Sequence, residues 1–135
     1  MLLVDSEAPV STETDPWDHL KQRDRWERPS DAEDDQAQLM VQCMETWIVA
    51  DRETLRDVFG SSLLENALPP LNNLEAHSKD DVQDKLVHAT RDCGRNRAYT
   101  KGRRSFQVLE RINPDIMKQH LPHFVRLCEM LDRKL

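Results

Sequence analysis

The chain has 135 residues, enough for one domain with a core of its own and too few for two ordinary ones. Hydrophobic residues make up 38% and charged residues 33%, so a core has to come from narrow apolar stripes on polar elements, as amphipathic helices supply. With three Gly and few β-branched runs the composition argues against a sheet, and the formal net charge of -6 opposes indiscriminate polyanion binding.

Residues 1–14 are rich in Ser, Thr, Glu and Pro, which predicts a disordered acidic tail. The run after Met1 is too short and lacks the basic flank of a secretory signal, and no stretch reaches membrane-spanning length. In "DPWDHLKQRDRWERP", Asp15 is a helix cap, Pro16 a first-position proline and Pro29 a stop. The apolar residues there are Trp17, Leu20 and Trp26, which suit either a helix held by two tryptophans or a docking arm. Ser30 and Glu33 have the spacing of a capping box. The stripe Leu39, Met40, Cys43, Met44, Trp47 and Ala50 then predicts one core helix.

Asp51 is expected to cap a short helix closed by Gly60, and Leu63, Leu64, Ala67 and Leu68 supply another turn or two. Pro69 and Pro70 force a corner, at 69–77, between two helical halves. Ser78 caps the next helix, whose face carries Val82, Leu86, Ala89 and Cys93. Helical periodicity returns through Phe106, Leu109 and Ile112, and Asn113 with Pro114 opens another helix. Pro122 breaks or restarts it, before a last stripe of Phe124, Leu127, Cys128, Leu131 and Leu135. The expectation is an all-α compact bundle of about five to seven short amphipathic helices, over 15–135 as one domain. Its core includes Leu39, Cys43, Trp47, Leu55, Phe59, Leu86, Phe106, Leu109, Phe124, Leu127 and Leu131.

Charge is unevenly distributed: residues 1–38 carry 11 acidic and 4 basic side chains, residues 91–135 carry 5 and 11. "RDCGRNRAYTKGRRSF", residues 91–106, concentrates Arg91, Arg95, Arg97, Lys101, Arg103 and Arg104 around the only Tyr, Tyr99. Each cation can neutralise a phosphate and Tyr99 can stack on an unpaired base; equally, the stretch can be the solvated corner of a helix pair. No nucleophile, phosphate-loop or metalloprotease signature occurs among the five His and the carboxylates, so no catalytic residue and no cofactor is expected. His120, His123 and Cys128 have a loose zinc-like spacing, but Pro122 disturbs the helical geometry and no fourth ligand lies near, so no metal is expected. The three separated cysteines read as reduced core residues of a cytoplasmic or nuclear protein.

These features favour a non-catalytic protein-interaction or signalling module. Its contact residues would be Arg95, Arg97, Tyr99, Lys101, Arg103 and Arg104 together with Trp17 and Trp26. A protein partner comes first, with self-association through the charge asymmetry as one form of it. A nucleic-acid or polyanion partner for 91–104 is the alternative, and a small viral or phage inhibitor of a host complex a further one. Tyr99, Gly102-Arg103-Arg104, Phe106, Leu109, Leu121-Pro122 and Leu127 give residues 80–131 a resemblance to the N-terminal helical segments of fungal STAND, or NLR-like, receptors. That resemblance implies signalling or oligomerisation without catalysis.

Overall fold

The structure, a computed structural model, describes residues 1–94 and 96–134. Its first element is a strand, β1 (Leu2–Asp5), which pairs in parallel with β2 (Ala37–Met40), Leu2 opposite Ala37 and Asp5 opposite Met40. Between them runs α1 (Pro16–Asp24). Six more helices follow: α2 (Met44–Ala50), α3 (Arg52–Phe59), α4 (Lys79–Thr90), α5 (Arg103–Leu109), α6 (Pro114–His120) and α7 (Pro122–Lys134).

Three expectations are corrected here. The fold is α/β, seven helices with a two-stranded parallel sheet among the described residues, rather than all-α. The N-terminus is structured, because "LLVD" exchanges backbone hydrogen bonds with β2 and the ladder continues through Ser6 N–H to Met40 O (3.0 Å) and Glu7 N–H to Gln42 O (2.8 Å). The single helix expected from Ser30 onward is in fact a 3₁₀ turn at Asp34–Gln36, then β2, then α2. Ala37, Gln38 and Leu39 are all buried, so β2 is covered on both faces. Such a strand reads as a continuous buried run instead of an alternation.

Local capping follows the chain more closely. Asp15 accepts from Trp17 N–H at 3.0 Å and opens α1, which stops at Arg25 in the left-handed region, before Pro29 is reached. Asp51 caps α3 through Thr54 N–H at 3.1 Å, and its other oxygen accepts from Asn113 N–H at 2.8 Å, which fastens the start of α6 to α3. Ser78 and Asn113 cap α4 and α6, and Pro122 begins α7. The stretch after Pro69-Pro70 passes through a 3₁₀ turn at Leu74–Ala76, with Leu74 buried.

The main core gathers Cys43, Trp47, Leu55, Phe59, Leu86, Met117, Phe124 and Leu127 from the helices, with Trp47 and Phe124 edge to face at 5.2 Å. A smaller cluster of Trp17, Leu20, Ala37, Leu39 and Val41 packs α1 against the sheet. Leu109 and Leu131 are partly buried. Phe106, expected in the core, is 62% exposed because α5 turns Ser105 and Val108 inward instead. No helix among the described residues is long and apolar enough to cross a membrane.

Candidate functional site

Ligand sites in parallel α/β structures form just beyond the carboxyl ends of the strands, where the chain leaves the sheet. Here β1 ends at Asp5, and β2 leads through Val41–Cys43 into α2, whose first turn carries Glu45. Asp5 is half-buried, and the Met44 backbone N–H at the start of α2 favours its charged form. Burial first, and the nearby Glu45 second, push its carboxyl above the ordinary aspartate range, while Lys101 and Lys79 pull the other way. Asp5 thus feels the charges of Glu45, Lys79 and Lys101, which come from three separate parts of the sequence.

Glu45 is 1% exposed, an unusual position for an unpaired carboxyl. Its Oε1 accepts from the Tyr99 hydroxyl at 3.2 Å and from Gln83 Nε2 at 3.3 Å. Its Oε2 is buried and has no hydrogen-bond partner among the described residues. Glu7, two residues beyond Asp5, pairs with Lys79 at 3.1 Å and holds that lysine beside the site, raising its pKa.

The basic stretch closes the site from the opposite side. Tyr99 is buried, its N–H donating to Thr90 Oγ1 at 2.8 Å and its hydroxyl lying 3.0 Å from Ser105 Oγ. Ser105 Oγ also accepts from Gly102 N–H at 3.1 Å, and Gly102 turns the chain into α5 at φ +106°, a conformation that suits glycine. This network fixes the loop so that Lys101 lies within charge range of Asp5. Burial drives the Tyr99 phenol well above its ordinary pKa, so the side chain is a fixed hydrogen-bonding group in the interior.

Among the other residues singled out from sequence, Arg97, Lys101 and Arg103 are exposed. Arg104 is half-buried, its guanidinium 4.7 Å from the Phe59 ring centroid and donating to Arg97 O at 2.9 Å. Arg95 lies outside the described residues. Trp17 is buried with its indole N–H donating to Glu33 O at 3.0 Å, whereas Trp26 is 45% exposed. The two tryptophans border a groove of ≈ 510 Å³ with Met1, Leu2, Pro29 and Ala32. Part of the charge asymmetry is met within the molecule: Arg133 pairs with Asp35 at 3.0 Å and Lys134 with Glu33.

Asp5 and Glu45 were not singled out by motif, since they lie 40 residues apart in the sequence. The signal for Asp5 was an apolar run ending in an acid, the pattern of a strand terminus. Among the described residues, no group of three or more His, Cys, Asp or Glu is placed to enclose a metal ion by itself. His120, His123 and Cys128 form no such group; His123 Nδ1 instead lies 2.7 Å from Glu75 Oε1. Burial raises the thiol pKa of Cys43, Cys93 and Cys128, so all three favour the unreactive protonated form.

No curated protein and no solved structure matches the chain. A family model does match, over nearly the whole length and beginning with β1, which overturns the resemblance to STAND receptor segments drawn from residues 80–131. Across residues 1–132 the chain belongs to the family described as Domain of unknown function (DUF4276).

Proposed function

We propose that the site beyond the strand ends binds a phosphate-bearing ligand together with a divalent cation held by Asp5 and Glu45. The observation that carries this reading is the buried Glu45, with one oxygen fixed by Tyr99 and Gln83 and the other unpartnered, within charge range of Asp5. A hard cation such as Mg²⁺ is commonly held by one or two carboxylates, the rest of its shell being water and ligand phosphate. Two carboxylates with two adjacent lysines supply such a half-site: the acids meet the cation, and Lys101 and Lys79 meet the phosphate oxygens. The test is titration with Mn²⁺ followed by electron paramagnetic resonance, with and without inorganic pyrophosphate. Wild type is expected to bind Mn²⁺ more tightly when pyrophosphate is present, Asp5→Asn and Glu45→Gln to lose the ion, and Lys101→Ala to lose the enhancement. Equal Mn²⁺ binding by wild type and Glu45→Gln refutes the reading.

A second reading, protein interaction through Trp26, is supported by the exposure of that indole at the edge of the groove it shares with Trp17. The partner suggested first by the charge asymmetry is a second copy of the chain. Sedimentation over a concentration series tests it, with loss of a dimer in Trp26→Ala as the expected result and a concentration-independent monomer in wild type as the opposing one. Cys43, Cys93 and Cys128 are all unpaired, which suits a reducing compartment, and cytoplasm or nucleus is the location we propose.

A further inference from the structure

The outer side of the loop that delivers Lys101 forms a groove of ≈ 530 Å³, lined by Asn96, Arg97, Thr100, Arg103, Arg104 and Gln107. Several arginines of this acidic chain are already ion-paired: Arg23 with Asp24, Arg28 with Asp34, Arg56 with Glu65 and Arg133 with Asp35. Arg97 and Arg103 are exposed and form no ion pair among the described residues, and both face the same groove. Arg104 forms its floor, immobilised over Phe59 and bonded to the carbonyls of Val58 and Arg97. Ala98 is the one apolar side chain in the lining, so the groove offers guanidinium forks and amide or hydroxyl groups but nothing to hold the apolar side chains of a protein partner.

An independent feature borders it. Phe106 is 62% exposed, in a short helix whose neighbours Ser105 and Val108 are fully buried. It stands three residues beyond Arg103, which places the two side chains on one face of α5. A basic groove beside an unpartnered aromatic ring is the combination that holds a nucleic-acid strand: the cations follow the phosphates and the ring stacks on a base. The ring requires that the base be unpaired. Thr100 lines the groove and the next residue, Lys101, lies within charge range of Asp5, so the groove adjoins the cation half-site along the chain.

From these observations we infer that the Arg97–Arg103 groove and Phe106 bind a single nucleic-acid strand, leading its phosphodiester backbone over Lys101 toward Asp5 and Glu45. The inference rests on the reading that the strand-end site takes phosphate, and it names the ligand as a polymer strand in place of a free mononucleotide or pyrophosphate.

The test is fluorescence anisotropy with an end-labelled 12-nucleotide single strand, DNA and RNA, against the matching duplex, AMP and heparin as competitors. Three contacts from Arg97, Lys101 and Arg103, at about 0.7 in log–log slope each, predict that affinity falls about twentyfold between 50 and 200 mM salt. Phe106→Ala is expected to weaken single-strand binding about five- to hundredfold and leave any duplex binding unchanged. The double variant Arg97→Glu, Arg103→Glu is expected to abolish it. Both groups of side chains are solvent-exposed, and circular dichroism checks that the variants fold. Asp5→Asn separates the two proposals: it should lose Mn²⁺ yet keep the oligonucleotide. Duplex binding as tight as single-strand binding, Phe106→Ala binding like wild type, or competition by AMP at the same concentration as by unlabelled strand would each overturn the inference. Oligonucleotide binding with no Mn²⁺ binding would leave the groove in place and refute the cation site alone.

Discussion

Changing Tyr99 to Phe removes one oxygen atom and leaves the ring in its packed place, so any effect reports the hydroxyl. That hydroxyl donates to Glu45 Oε1 at 3.2 Å and lies 3.0 Å from Ser105 Oγ. A hydrogen bond to a charged acceptor contributes about 1.5–3 kcal/mol, and one to a neutral hydroxyl about 1 kcal/mol. Ser105 keeps its bond from Gly102 N–H in the variant, so the loss should lie toward the lower end, about 2–3 kcal/mol. Glu45 would be left with Gln83 alone, at 3.3 Å, for two buried oxygens. Urea unfolding followed by tryptophan emission measures this as a lower midpoint at unchanged slope. The partner in the interaction is identified by a double-mutant cycle with Glu45→Gln: the Tyr99→Phe penalty should shrink by more than 1 kcal/mol when the carboxyl is already gone, on the order expected of residues in direct contact. A penalty under about 0.5 kcal/mol, the size of an ordinary surface change, would refute the claim that Tyr99 holds Glu45 in place. So would strict additivity of the two substitutions.

Three further outcomes follow from the same structure. Asp5 has its carboxyl pKa raised on folding, so its ionisation works against the native state; this contribution is absent below the ordinary carboxylate pKa and grows as pH rises through the native value. Asp5→Asn should therefore melt above wild type at pH 7 and together with it near pH 3.5, the behaviour of a residue kept for binding at the expense of stability, with differential scanning fluorimetry across pH as the check. Leu39→Ala should cost about 2–5 kcal/mol in denaturant unfolding, since this side chain is fully enclosed between the sheet and α1. Removal of residues 1–5 should abolish cooperative unfolding, because β2 would lose β1, its strand partner, whereas a dispensable tail would leave the transition unchanged.

Where a cap and an apolar stripe coincided the helices were mostly legible from sequence, the exception being Ser30, after which the same signals precede a 3₁₀ turn and β2. Asp51 with Gly60, Ser78, Asn113 with Pro114, and the restart at Pro122 all mark observed boundaries. The strands were not, and the reason is geometric. Each is only four residues long, and β2 is enclosed on both faces, so Gln38 is as buried as Leu39 and no period of two is available to read. The first strand forms for a tertiary reason: "LLVD" has its partner 35 residues on, across a loop and a helix, and composition over 1–14 records only the polar loop that follows it. Phe106 shows the converse error, an apolar residue in helical register that the packing of α5 leaves outside.

The site was illegible for a related reason, and the basic stretch shows how. Its charges and its tyrosine attract attention as a local motif, but the fold divides them between two surfaces of one loop. Tyr99 turns inward to Glu45, and Lys101 lies within charge range of Asp5, so the groups they answer to come from strand and helix ends far away in sequence. Arg97 and Arg103 turn outward into the groove that Arg104 underlies. A carboxyl at a helix N-terminus, such as Glu45, normally reads as a favourable interaction with the helix dipole at the surface. Only burial distinguishes it, and burial is set by α4 and by the loop before α5, not by its neighbours in the chain. The Gly102–Ser105–Tyr99–Glu45 chain of hydrogen bonds is therefore the physical link between the basic loop and the acidic half-site. Because one loop carries both surfaces, loosening it at Tyr99 should disturb cation and strand binding together, whereas the outward arginines can be changed with the acidic pair left intact.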